Sequence, residues 1–409
     1  MKQIQNIMLS KLFFIAVFLF LNLSVNAQKK EISQARDNIK AGKQLVEAEA
    51  SMRKLLSDSV NRKNEKIRLI LFDAIRKQYE SVNEKMYLKQ VADTALLFAT
   101  TWRMFGVLEG IDSIDALPDK SGRVKLKYRK RHSEYLNSLR INLYNGGLFH
   151  MRKKNNQIAF DYFAAYLDCA TQPLFSAYRY NDTDKRFSLA AFYAVYNGYM
   201  AGQPDETLRY SDIAMNDSSK LDLVYQYMAE TYMDIKDTTK YVEILQKGFN
   251  EYPRSDYFFS HLFDYWFKSG CAKNALNVCN EVLAVDSLSK KALFAKSTVL
   301  LFLKQYEECI AISDKAISLD NKCSGAYLNA GIAYFNQAVE LDKGKAYSRE
   351  KRMRMLELYR KAMPYMQTYR SLVPEEQGKW AMPLYTIYLN LNMGTEFEEI
   401  DKILKCMSK

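Results

Sequence analysis

The chain has 409 residues and a formal net charge of +12, and 48% of its residues are hydrophobic. Only 15 residues are Gly and 7 are Pro, well below the usual shares of roughly 7% and 5%. Turn-rich sheets, collagen-like stretches and flexible linkers need more of both, so the composition favours long helices joined by short turns. The 13% of aromatic residues excludes a disordered chain. Because a single core stops growing at about 250–300 residues, we expect two domains or an elongated repeat array.

Residues 1–27 are interpreted as an export signal. Lys2 and Lys11 precede the apolar run 12–21, and small residues after it predict cleavage following Ala27. The run is shorter than the ~20 apolar residues that span a bilayer, although retention as an uncleaved anchor remains an alternative. We therefore expect a periplasmic or secreted protein with no transmembrane segment after signal removal. Export also makes nucleic acid an unexpected partner, despite the positive charge.

A period of 34 residues runs through the second half of the sequence. Four segments beginning near residues 203, 237, 271 and 305 align without a gap, and each has the pattern of an amphipathic helix. The segments before them place apolar residues at i, i+3, i+4 and i+7, which is one face of a helix. The clearest example is Phe259, Leu262, Phe263 and Trp266.

At this register the chain resembles the tetratricopeptide repeat (TPR) family, whose 34-residue units are helix–turn–helix pairs. The positions that fit the family pattern best are Tyr327, Gly331, Tyr334, Ala362 and Pro374. The resemblance is strongest over residues 186–323. It implies an all-α, right-handed helical-repeat solenoid of about eight or nine helix pairs.

The resemblance also divides the chain into segments. They are the signal 1–27, an irregular helical region 28–139, a TPR array 140–375 with insertions near 171–185 and 338–355, and a C-terminal capping helix pair 376–409. Within the array, the family places a residue of each first helix against one of the second, so their volumes should complement each other. We expect Phe263 against Ala275 and Ser297 against Cys309.

By the same resemblance, the concave surface formed by the first helices binds extended peptides or partner helices. Mapped onto this sequence, its positions form an aromatic-rich groove with charged exceptions. The candidates are Tyr144, Phe192, Tyr196, Tyr199, Glu230, Asp234, Asp264, Phe267, Lys268, Lys291, Phe294, Phe302 and Phe335. The alternative is that these aromatic side chains pack against neighbouring repeats or against the insertions.

A basic patch lies at residues 121–133 and contains no acidic residue. Its members include Arg123, Lys127, Lys130 and Arg131. If the segment is helical, Arg123, Lys127 and Arg131 share one face of the helix. A second basic stretch covers residues 343–361. Docking to an anionic surface is one interpretation, and a solvated helix face is the other.

The sequence offers little for catalysis. It has three His and six Cys, no Cys-x-x-Cys pair, and none of the familiar nucleophile or phosphate-binding motifs. Cys279 and Cys309 fall where second helices need a small apolar residue, so we expect packing roles for both. We predict no catalytic residues, no metal site and no cofactor.

These observations together predict a non-catalytic TPR scaffold of the cell envelope that mediates protein–protein interaction through the aromatic-rich groove. The partner is a protein or a peptide. The alternative is an envelope accessory protein that binds a glycan or an anionic membrane surface. A hydrolase on a helical scaffold is the third class.

Overall fold

The computed structural model describes residues 28–342 and 348–407, so the predicted signal lies outside the described residues. Within these ranges every regular element is a helix. The described chain divides into two compact units, with the boundary between Tyr227 and Met228. We call them the N-terminal unit and the C-terminal unit. The predicted domain boundaries, which fall elsewhere, stay predictions.

The N-terminal unit contains helices of very unequal length. They are α1 (28–41), α2 (Leu45–Ser57), α3 (Glu65–Tyr87), α4 (Thr94–Asp115), α5 (Arg129–Leu139), α6 (Ile141–Arg152), α7 (Asn156–Asp168), α8 (Tyr180–Thr183), α9 (Phe187–Met200), α10 (Pro204–Arg209) and α11 (Ser211–Ala214). Helix α12 (Leu221–Asp234) contains the boundary between the units.

The C-terminal unit continues with helices of more regular length. They are α13 (Thr238–Glu251), α14 (Asp256–Lys268), α15 (Ala272–Val285), α16 (Lys290–Phe302), α17 (Tyr306–Leu319), α18 (Ser324–Asp342), α19 (Arg349–Leu372), α20 (Gln377–Leu391) and α21 (Gly394–Met407). The predicted all-α fold of helix pairs is confirmed.

The 34-residue register is visible in the backbone of the turns. Two residues after the first helix of successive pairs ends, the backbone adopts a left-handed conformation at 34-residue intervals. The φ angles are 67° at Gly202, 62° at Lys236, 75° at Gly270 and 61° at Lys304. A left-handed residue terminates a helix and lets the chain reverse within three residues. The lysines at two of these positions show that the turn is fixed by the register rather than by glycine alone.

Close packing between helices of the C-terminal unit follows complementary volumes. Phe263 packs against the buried cluster that contains Ala275, and the Cys309 thiol lies 3.2 Å from the backbone oxygen of Ser297. Both predicted pairs are therefore confirmed. Gly248 allows the fully buried ring of Phe258 to approach, because a Cβ at this position would collide with it.

The two predicted insertions take different forms. The residues near 338–355 lengthen α18 and α19, whose ends at Asp342 and Arg349 flank a segment outside the described residues. The excursion near 171–185 contains a single 3₁₀ turn, Pro173–Phe175, and α8. Its position is fixed by the buried side chain of Arg140, which forms a 2.6 Å ion pair with Asp184.

The prediction that Arg123, Lys127 and Arg131 share a helix face is wrong. Residues 116–128 are not helical, and α5 begins only at Arg129. The reason is local, because the carboxylate of Asp119 accepts hydrogen bonds from the backbone N–H groups of Ser121 and Arg123. An aspartate that binds its own backbone in this way favours a turn over a helix.

Candidate functional site: the predicted partner groove

The groove candidates of the N-terminal unit are partly core residues. Tyr144 and Phe192 are buried, and the Tyr144 ring lies 5.7 Å from Phe163 and 6.3 Å from Tyr193, measured between ring centroids. Aromatic side chains in such contacts stabilise the packing of helices. For these two residues the structure agrees with the alternative interpretation, in which they pack against neighbouring helices.

Tyr196 and Tyr199 form a half-buried cluster with Tyr227. The ring centroids of Tyr196 and Tyr199 lie 5.8 and 4.8 Å from that of Tyr227. The three rings therefore form one surface of the N-terminal unit on which part of each tyrosine stays accessible to solvent.

The C-terminal unit brings together three rings, which we call the aromatic patch: the half-buried Phe263 and Phe267 and the exposed Phe302. Phe263 and Phe267 are stacked with centroids 5.5 Å apart. Phe302 meets Phe267 edge-to-face at 5.5 Å, while 62% of its surface is exposed. Two first helices, α14 and α16, thus bring these rings together from positions 35 residues apart.

The other two aromatic candidates of this unit make internal contacts, although Phe294 stays 39% exposed and Phe335 is half-buried. The ring of Phe294 lies against Gly325, where a Cβ would collide with it. Phe335 lies 5.9 Å from the ring of Tyr359 on the lengthened α19. This contact comes from the part of α19 that follows the predicted insertion, so Phe335 packs against the second helix of its own pair.

The charged candidates lie on α12, α14 and α16. Lys268 forms a 3.0 Å ion pair with Asp264, and Lys291 lies 3.6 Å from Asp256. Asp234 is exposed and Glu230 is half-buried. Both ion pairs join exposed side chains, so each side chain can exchange its partner for an incoming group at little cost.

A polar cluster formed where α13 packs against α14 was missed by sequence reasoning. The hydroxyl of Tyr241 and Nδ1 of His261 share a 2.9 Å hydrogen bond, and the Tyr257 ring lies 4.3 Å from the imidazole. Burial lowers the pKa of His261, although the nearby carboxylates of Glu230 and Asp264 oppose this effect. The imidazole is therefore uncharged at neutral pH.

The sequence did contain a signal for this cluster. Tyr257, His261, Asp264 and Lys268 follow one another at intervals of four, three and four residues, so they share one face of α14. What the sequence lacked was the second helix, because Tyr241 reaches the imidazole only through the packing of α13 against α14.

The cysteines have the character of packing residues. The six cysteines form no disulfide with one another in the described structure, and Cys279 and Cys309 are fully buried, which confirms the predicted packing role. Burial raises the pKa of Cys279 to about 12 and that of Cys309 to about 11. Both thiols are therefore protonated at neutral pH and poor nucleophiles.

Across residues 28–342 and 348–407, no three His, Cys, Asp or Glu side chains are arranged to hold a metal ion. Within the same ranges, no helix has the length and apolar character needed to cross a bilayer.

The basic patch is exposed and partly neutralised. Arg123 lies 3.9 Å from Asp119, and Lys127 lies 3.5 Å from Glu65. Lys130 and Arg131 are exposed on the first turn of α5. Docking of this patch to an anionic surface stays a prediction.

No protein-family model matches the chain, and no curated protein matches it. Several solved structures are similar in fold. One is YrrB, described as a TPR protein with an unusual peptide-binding site, with 14% identity, a TM-score of 0.35, and coverage of 47% of this chain and 90% of that one. A TPR repeat-containing protein from Cytophaga hutchinsonii has 13% identity, a TM-score of 0.42, and coverage of 63% and 93%.

A third similar structure is PilW, described as a type IV pilus biogenesis factor. It has 13% identity, a TM-score of 0.36, and coverage of 54% of this chain and 92% of that one. All three TM-scores are below 0.5, so the resemblance to TPR proteins rests on features of this chain itself. These features are the helix pairs and the left-handed turn residues at 34-residue intervals.

Proposed function

We propose that the protein is a non-catalytic interaction scaffold of the cell envelope, and that its C-terminal unit binds a protein or peptide partner through the aromatic patch. The observation that carries the proposal is Phe302. This ring is 62% exposed at the end of α16 and is held edge-to-face against Phe267. A large apolar side chain in this setting gains free energy when a partner removes it from water.

The surroundings of the patch support the same function. Interfaces concentrate their binding energy in a few aromatic anchors, with charged groups at the rim that set orientation. Phe263 and Phe267 fix the base on which Phe302 rests, and the Asp264–Lys268 pair lies on the same helix. The arrangement is preorganised, because its rings already contact one another in the unbound chain.

The experiment compares Phe302→Ala with Leu288→Ala. Leu288 is 58% exposed in the turn before α16, at the opposite end of this helix. Crosslinking mass spectrometry in native envelope extract should recover a partner with the parent and with Leu288→Ala, and lose it with Phe302→Ala. Equal recovery of the partner by both variants would contradict the proposal. It would also be contradicted if the protein bound glycans on a glycan array and no protein partner.

Export is part of this proposal and has its own test. Removal of the signal should leave Gln28 as the first residue, and N-terminal sequencing of the protein from the envelope fraction checks it. The alternative of an anionic membrane surface is favoured by the exposed side chains of Lys130 and Arg131. Binding to phosphatidylglycerol vesicles that falls steeply with salt would support this alternative.

A further inference from the structure

A pocket of about 570 Å³ lies in the N-terminal unit between α2, α3 and α4. Three arginines contribute to its wall, namely Arg53, Arg68 and Arg103, together with the 43% exposed indole of Trp102. Leu56, Leu71 and Val107 supply apolar surface, and the residues that line the pocket include no Asp or Glu. This volume is typical of a small-ligand site.

The positive charge of the pocket is only partly neutralised. Arg53 and Arg103 share the single carboxylate of Glu49, at 2.9 and 3.1 Å. Arg68 binds only a neutral acceptor, since its Nε and Nη2 donate to the backbone oxygen of Arg62 at 3.2 and 2.9 Å. Three guanidinium groups therefore surround the pocket with one carboxylate beside them.

Two of these guanidinium groups lack an acceptor that would stabilise them fully. Burial lowers the pKa of Arg68, because its charge is partly removed from water without a carboxylate to compensate. Nε of Arg103 is buried with no hydrogen-bond partner. Groups of this kind are stabilised when an anion binds close to them.

Two glycines on α4 shape the same pocket. Gly106 and Gly110 lie one helical turn apart, where glycine is an unfavourable choice for the interior of a helix. A Cβ at Gly106, which lines the pocket, would meet no atom within 4 Å. A Cβ at Gly110 would lie 2.9 Å from Nη1 of Arg68. One glycine leaves the pocket open, and the other makes room for the guanidinium.

We propose that this pocket binds a small organic anion that carries a carboxylate or phosphate group on an apolar or aromatic body. The guanidinium groups bind the oxyanion with the planar geometry that suits carboxylates and phosphates. Trp102 and the aliphatic side chains contact the apolar body. The site shares no residue with the aromatic patch, so it stands independently of the proposed partner binding.

The test is isothermal titration calorimetry of the chain from residue 28 onward with phenyl phosphate, benzoate, phenol and inorganic phosphate. We expect saturable binding of phenyl phosphate or benzoate that weakens with salt, and weaker binding of phenol and of inorganic phosphate. Arg68→Gln should weaken the binding at least tenfold. Arg62→Gln is the matched control, because it removes the same charge from an exposed side chain outside the pocket, and it should bind like the parent.

Gly106→Leu separates binding from folding. A Cβ at this position meets no atom within 4 Å, and the rest of the leucine extends toward the pocket that Gly106 lines. Leucine also improves the helix propensity of α4, so the melting temperature should stay equal or rise while binding is lost. The proposal is overturned if the parent binds neither phenyl phosphate nor benzoate, or if Arg68→Gln and Gly106→Leu both bind like the parent. Binding of an acidic peptide without either small probe would also overturn it, in favour of a protein ligand.

Discussion

The two units hold their helices together with different contacts. In the N-terminal unit, Arg140 and Asp184 form an ion pair whose side chains are only 6% and 10% exposed. Asp112, which pairs with Arg129, and Glu49, which pairs with Arg103, are each 6% exposed. In the C-terminal unit, ten ion pairs among the described residues join side chains that are at least 28% exposed. There the helices are positioned by complementary apolar volumes instead.

The difference follows from regularity. Where the 34-residue register is intact, each helix meets its neighbour with the same geometry, and a small residue opposite a large one is enough to fix the contact. Where helices have unequal lengths and an excursion interrupts the register, that repeated geometry is absent. Directional contacts over long sequence separations then define the arrangement, and buried polar contacts provide this specificity.

The largest effect is expected for Arg140→Met in the N-terminal unit. The guanidinium lies between the rings of Tyr166 and Tyr180, at 3.6 and 3.7 Å from their centroids, and pairs with Asp184. Its removal leaves a buried carboxylate without its cation, which costs about 3–5 kcal/mol of unfolding free energy in urea denaturation. Arg209→Met removes an exposed pair with Asp168 and should cost less than about 1 kcal/mol. If both variants lost a similar amount of unfolding free energy, buried ion pairs would not distinguish the N-terminal unit from the C-terminal unit.

Tyr241→Ala tests the apolar packing of the C-terminal unit. Tyr241 is buried between α13 and α14. Its replacement by Ala leaves a cavity that lowers the free energy of unfolding by about 3 kcal/mol. This is the lower end of the range for aromatic residues, because His261 and Tyr265 beside it are half-buried and can relax. Tyr241→Phe removes only the hydrogen bond to His261 and should cost about 0.5–1.5 kcal/mol. A loss under about 1 kcal/mol for Tyr241→Ala in urea would contradict the 34-residue alignment.

Glu109 should make the N-terminal unit sensitive to pH. Burial, together with the charge of Asp168, raises the pKa of this carboxyl to about 7. Between about pH 4.5 and 7 this carboxyl is protonated in the folded state but ionised in the unfolded state. The free energy of unfolding therefore falls as pH rises through this window. Glu109→Gln should remove the fall and add about 2–3 kcal/mol at pH 8, measured by urea denaturation. The exposed Glu84→Gln is the control, and a pH profile shared by both variants and the parent would rule out the effect.

The smallest effect is expected for Lys268→Ala. Its ion pair with Asp264 joins side chains that are 77% and 58% exposed, and such pairs change the unfolding free energy by less than about 0.5 kcal/mol. Thermal denaturation at low and high salt checks this expectation. A loss above about 1 kcal/mol would mean that the C-terminal unit depends on ion pairs after all.

The regular part of the fold was predictable because the register repeats. Phe263 and Ala275 could be matched from sequence, since the same two positions recur in each unit. The candidate groove was only partly predictable. Its positions depend on which rings the neighbouring helices leave exposed, since Phe335 is half-buried beside Tyr359 of α19 whereas Phe302 is exposed.

The N-terminal pocket was not predictable, because Arg53, Arg68 and Arg103 come from three helices without a common register. The basic loop shows a related limit. A spacing of four residues in Arg123, Lys127 and Arg131 indicates a helix only if the backbone is helical, and the side chain of Asp119 decides otherwise.

The sequence by itself determined that this protein is built from helix pairs, where the turns fall, and which small and large side chains face each other in the regular repeats. These properties follow from local periodicity, which each segment carries independently. The tertiary structure alone decided which aromatic rings remain exposed, where His261 meets Tyr241, and how three arginines come to line one pocket. Such contacts depend on the distances between helices far apart in the chain, and side-chain volume and charge determine those distances only after packing.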